Sequence, residues 1–70
     1  MKNSTTQIFG RNVKLFRKQR GLTQEKLSEL IDINTRQLAR IESGESFVTA
    51  FTLEKLAKSL NIDIWVLFKS

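Results

Sequence analysis

Apolar residues recur along this chain at spacings of three and four, and strict alternation is sustained nowhere. A period near 3.6 belongs to helices buried on one face, whereas half-buried strands would need a period of two. Phe9, Val13 and Phe16 form a first inward stripe. Ser4, with Gln7 three residues later, predicts a capping box that opens this helix, which runs to about residue 20. Thr23 predicts the cap of a short second helix over 24–31, with Leu27, Leu30 and Ile31 on one side. Asn34, again with Gln37 at the third position, opens a third helix to about residue 43 that buries Leu38 and Ile41. Thr49 caps a fourth, with Leu53, Leu56, Ala57 and Leu60 inward, and Asp63 caps a last turn or two over 64–68. On the last helix Ile64, Leu67 and Phe68 point inward while Trp65 and Val66 point out. The fold class is all-α, a compact bundle of five short helices.

Gly21 and Gly44 each follow a helical pattern at the place of a C-terminal glycine. Gly10 lies inside a helical pattern, where it costs about 1 kcal/mol against alanine, and close packing is the reason to keep it. Proline is absent and no linker or repeat stands out, so one domain over 1–70 is expected.

Composition narrows the chemistry. The 70 residues include no cysteine and no histidine, which excludes disulfides, thiolate nucleophiles, Cys/His metal sites and imidazole catalysis. The seven carboxylates scatter over surfaces and caps, so no enzyme, cofactor or metal is expected. The longest apolar run, 64–68, falls far short of the ~20 residues of a membrane span, and the N-terminus lacks a signal-like stretch. A cytoplasmic location is therefore expected.

The net charge of +5 is unevenly placed. Residues 1–20 carry Lys2, Arg11, Lys14, Arg17, Lys18 and Arg20 against no acid, while the other fifty residues are close to neutral. Such a field attracts polyanions, nucleic acid or an acidic membrane surface, and it equally fits a basic helix that serves solubility. The core-facing stripe on this helix argues against the membrane. On the third helix, Leu38 and Ile41 inward leave Arg36, Ala39, Arg40 and Ser43 on the opposite face. Arg36 and Arg40 are a like-charge pair at i,i+4, slightly repulsive until a polyanion approaches.

The stretch Gln24-Glu25-Lys26-Leu27-Ser28-Glu29-Leu30-Ile31-Asp32-Ile33-Asn34-Thr35-Arg36-Gln37-Leu38-Ala39-Arg40-Ile41-Glu42-Ser43-Gly44 resembles the helix-turn-helix of the Cro/CI-type (XRE) transcriptional regulators of bacteria and phages. The likeness runs from about residue 8 to 68. It includes the lead-in Arg20-Gly21-Leu22-Thr23-Gln24, the exit Arg40-Ile41-Glu42-x-Gly44, and Leu53…Leu56-Ala57-Lys58…Leu60. It implies a lambda-repressor-like fold with its helix-turn-helix at about 24–43. Steeply crossing helices need a small side chain where they touch, and Ser28 supplies it, with Ile33 plugging the turn. The family usually has glycine where this chain has Asp32, a residue that tolerates positive φ with some strain.

The resemblance places the third helix in the major groove, with Thr35, Arg36, Ala39 and Arg40 as reading positions. The arginines can fork onto guanine and Ala39 can meet a thymine methyl. Solvated arginines or phosphate clamps remain open for Arg36 and Arg40. It sets Gln24 against a phosphate, where helix-start N–H groups favour an anion. Gln37 suits a phosphate contact or the capping box, and Ser43, Gly44 and Ser46 offer phosphate donors. Relatives carry basic residues in the next loop where this chain has Phe47 and Val48, so Arg11 or Lys14 compensates. The resemblance also implies a structural salt bridge between Arg17 and Glu42.

Trp65 and Val66 stand where relatives have polar residues, and Phe47, Phe51 and Leu15 add apolar surface. A homodimer contact through Trp65 and Val66 is one reading; folding back over a small core is the other. The implied function is sequence-specific binding of double-stranded DNA by a dimeric repressor reading an inverted repeat, associated with the nucleoid. No small-molecule effector is implied. The alternative is a protein-interaction module of the same fold, docking on a toxin or a polymerase subunit.

Overall fold

A computed structural model describes residues 4–70. Four α-helices, α1 (Ser4–Gln19), α2 (Gln24–Leu30), α3 (Thr35–Glu42) and α4 (Ala50–Leu60), precede a 3-10 helix at Ile64–Phe68. They enclose one core of Phe9, Val13, Leu27, Ile31, Leu38, Ile41, Leu56, Leu60 and Leu67. The all-α class holds; the fifth helix is a 3-10 segment. Five residues are too few to repay α-helix nucleation, and a tighter short turn needs no such run. Tertiary contacts fix it instead, for the Asn12 side-chain amide donates to the carbonyls of Leu67 and Lys69, each at 2.9 Å.

Local chemistry sets the helix starts. Thr23 and Thr49 accept from the backbone N–H groups of Lys26 (3.0 Å) and Thr52 (3.2 Å). Asn34 and Gln37 form the reciprocal capping box. Two expected caps differ. Asp63 precedes the 3-10 helix without a side-chain bond, and Ser4 already lies inside α1. Any cap preceding Ser4 lies outside the described residues.

The helix ends share one device. After α1, α2, α3 and α4 a residue of positive φ follows: Gly21 (69°), Asp32 (60°), Gly44 (84°) and Asn61 (56°). Each donates its N–H back into its helix, and the next residue does so one turn deeper: Leu22 to Arg17, Ile33 to Ser28, Glu45 to Arg40 and Ile62 to Ala57. This is the Schellman arrangement, which satisfies carbonyls that a helix end leaves open. In three of the four, the residue after the left-handed position is apolar, and Leu22, Ile33 and Ile62 pack on the core.

The burial pattern corrects three inward assignments. Leu30, Ile64 and Phe68 are exposed, while Leu27, Ile31 and Leu67 are buried. On so short a helix as α2 the stripe is only as wide as Leu27 and its i+4 neighbour Ile31, and Leu30 falls to its side. The 3-10 pitch turns Leu67 alone fully inward. Phe47, read as surplus surface, sits edge-on to Phe9 with ring centroids 4.8 Å apart, and Phe68 covers Phe9 at 5.2 Å. Gly10 lies against the last turn of α3, where a Cβ would overlap the Ile41 carbonyl oxygen and come within 2.9 Å of the Glu42 oxygen.

Candidate nucleic-acid interface

Leu38 and Ile41 dock α3 on the core, and this rotation leaves Arg36 and Arg40 exposed on the far side. Arg36 has no ion-pair partner among the described residues. Arg40 stands 4.0 Å from Glu45, a solvated contact that leaves the guanidinium available. Ala39 is half-buried between them. Thr35, also half-buried, has its hydroxyl 3.3 Å from that of Ser28. The Ser28 hydroxyl donates to the Glu25 carbonyl at 2.8 Å, so its single proton is engaged and Thr35 must donate to Ser28. Towards solvent Thr35 therefore offers an acceptor and a methyl group.

Gln37 takes the capping role. Its Oε1 accepts from the Asn34 N–H at 3.2 Å, which turns the amide NH2 away from the cap. A groove of about 260 Å³ begins beside it, lined by Gln37, Arg40, Ser46, Thr49 and Thr52 with Ile33, Ile41, Phe47 and Val48 beneath. Thr52 escaped sequence reasoning; its position in the first turn after the Thr49 cap was the available signal. At the exit of α3, Ser43 does not fit the donor role expected of it, because its hydroxyl donates to the Arg40 carbonyl and its N–H to the Ala39 carbonyl, each at 3.0 Å; Ser46 directs its N–H to that Arg40 oxygen at 3.3 Å. Gly44 does not fit the donor role expected of it. Its only donor, the backbone N–H, is bonded to the Ile41 carbonyl at 3.1 Å, and the residue is buried under Gln7.

On α1, Gln7, Gly10 and Arg17 face the end of α3. Lys14 falls on the same stripe by helical spacing, Arg11 follows Gln7 by one turn, and both are exposed. Arg17, on the side of α1 that meets α3, is buried. Its Nε donates to Glu42 Oε2 at 2.7 Å, its Nη2 to Oε1 at 3.1 Å, and its Nη1 to the Leu22 carbonyl at 2.8 Å. Gln24 Nε2 donates to the same Oε1 at 3.1 Å. The carboxylate is 3% exposed and bonded by three donors, which offsets the cost of burying it. Gln24 thus meets the site from the first position of α2 with its amide already oriented. Trp65 is 62% exposed and Val66 half-buried, at the opposite end of the chain order.

A capped, exposed, cationic helix held at a tight turn beside a second helix defines a DNA-binding helix-turn-helix bundle. The helix-turn-helix family model matches residues 13–64. The uncharacterized HTH-type transcriptional regulator YazB of Bacillus subtilis (strain 168) is 36% identical over 56 residues, covering 80% of this chain and 81% of YazB. Among solved structures, the restriction-modification controller protein C.AhdI from Aeromonas hydrophila superposes with a TM-score of 0.87 at 29% identity, over 94% of this chain and all of that one. An HTH_3 family transcriptional regulator from Vibrio cholerae is 31% identical with a TM-score of 0.80, over 91% of this chain and 36% of that one. The chain belongs to the helix-turn-helix (XRE) family of DNA-binding transcriptional regulators. No helix among the described residues is long and apolar enough to cross a membrane.

Proposed function

We propose that this chain is a dimeric repressor that reads an inverted-repeat operator with α3 in the major groove. The observation that carries the reading is the outer face of α3, where Arg36 and Arg40 are exposed above a buried Leu38 and Ile41. Thr35, Arg36, Ala39 and Arg40 face base edges, and the arginines fork onto guanine O6 and N7. Thr35, with its proton engaged by Ser28, accepts from an exocyclic amino group. Gln24, Gln37, Ser46, Arg11 and Lys14 bind the flanking phosphates, and Trp65 with Val66 joins two copies so that two α3 helices stand about one helical turn apart.

Fluorescence anisotropy at ~150 mM salt tests this reading, with the DNA upstream of the chain's own gene against a shuffled duplex. A preference of ~10³ or more supports it. Equal binding to both calls for selection from a random library, and failure to enrich any sequence there would refute operator reading. A second reading, a protein-interaction module of the same fold, draws on exposed Trp65 and Phe51. Absence of binding to any duplex would favour it.

A further inference from the structure

We infer that Glu42 is a positioning residue for DNA binding: it fixes which way the Gln24 amide faces and so presents one N–H of Gln24 to a phosphate. The inference rests on the DNA-binding reading above and concerns how one contact is prepared. A free glutamine amide can turn either its oxygen or its nitrogen outward, and a phosphate, which only accepts, is bound by the nitrogen alone. Glu42 removes that freedom. Its carboxylate has only lone pairs to offer, so the nitrogen of Gln24 faces it, at 3.1 Å from Oε1. One amide proton is used inward; the second points along the other arm of the NH2 group and remains for a ligand.

The carboxylate is itself immobile. Arg17 grips both of its oxygens, and the same guanidinium is tied to the Leu22 carbonyl just ahead of α2. One cation thus locks the end of α3, the approach to α2 and, through Glu42, the first side chain of α2. Arg17 is buried and belongs to no ligand surface; it acts through its neighbours. The cost of orienting Gln24 is met on folding, so the contact forms without a further loss of rotamer freedom.

A double-mutant cycle in duplex binding tests this, at a temperature where circular dichroism shows each variant folded. Gln24→Ala should weaken binding about fivefold, the factor expected for one hydrogen bond, on operator and shuffled duplex alike. Glu42→Gln should cause a similar loss, and the double variant should bind no more weakly than Gln24→Ala alone. Losses that multiply would assign Glu42 to the scaffold only and overturn the inference. Where Glu42→Gln does not fold, the side-chain amide of Gln24 in the ¹⁵N-labelled native protein decides. One of its two protons should shift on adding duplex while the other keeps its position; two averaged, solvent-like resonances would overturn the inference. Failure of the native protein to bind any duplex removes the DNA-binding reading and this inference together. Native binding with independent losses removes this inference alone.

Discussion

Gly10 and Glu42 meet backbone to backbone: a Cβ on Gly10 would stand 2.9 Å from the Glu42 carbonyl oxygen and overlap that of Ile41. The first and third helices approach this closely only because residue 10 has no side chain. Gly10→Ala gains about 1 kcal/mol of helix propensity and loses more to overpacking, because the obstacle is backbone that cannot rotate away. Thermal unfolding should show a melting temperature lower by several degrees, and an unchanged or higher one would mean that α3 can shift.

Seven residues beyond Gly10 on α1, Arg17 and its partner Glu42 provide a second test. Removing one partner of a buried, hydrogen-bonded ion pair costs about 3–5 kcal/mol. Glu42→Ala leaves Arg17 buried without its carboxylate and should unfold the chain or depress its melting temperature strongly. Glu45→Ala, on an exposed residue, should stay within about 0.5 kcal/mol of the native protein. Equal effects on the melting curve would contradict the role of the pair.

Asp32 holds φ at 60° at the turn between α2 and α3, and its carboxylate lies 3.8 Å from Lys55 Nζ in open solvent. A left-handed backbone costs most residues about 1–2 kcal/mol, and glycine adopts it freely. The pair returns little, because the Asp32 carboxylate is solvated and Lys55 Nζ also lies over the Phe51 ring. Asp32→Gly should therefore raise the unfolding midpoint in urea, and Asp32→Val should lower it. A midpoint that falls with glycine would show that Lys55 braces the turn.

The arginines on α3 and the cations on α1 should separate in binding assays. Arg36→Ala should flatten preference at one operator position, with a loss of about 1–3 kcal/mol on the preferred base. Lys14→Ala should weaken all duplexes alike and reduce the slope of log affinity against log salt by about 1. A uniform loss for Arg36→Ala would reassign it to a phosphate.

Trp65, largely exposed, reports on self-association. Its emission should move to longer wavelength on dilution, at the concentration where the sedimentation coefficient falls to that of the monomer. Trp65→Ala should sediment as a monomer while keeping its helical content. An emission maximum that does not change through that dilution would refute a dimer contact at this residue.

The exposed outer face of α3 is legible in the sequence, because Leu38 and Ile41 alone define which side turns inward. The same holds for the capping role of Gln37, since its spacing from Asn34 already makes it a capping partner. Gly44 was misjudged for a reason also local: a glycine that ends a helix gives its N–H to that helix, which removes it from any phosphate. The link from Glu42 to Gln24 had no signal in spacing, and that from Arg17 to Glu42 came only through family likeness.

What the sequence by itself determined are the four α-helices, three of the five expected caps, those at the starts of α2, α3 and α4, and the glycines that end α1 and α3. Each depends on atoms within about four residues along the chain, where backbone geometry fixes the distance in advance. Tertiary structure alone decided that residues 64–68 form a 3-10 helix anchored by Asn12, that Leu30 stays outside, and that one carboxylate joins α1, α2 and α3. These contacts join groups far apart in sequence, and their distances exist only after the helices have packed.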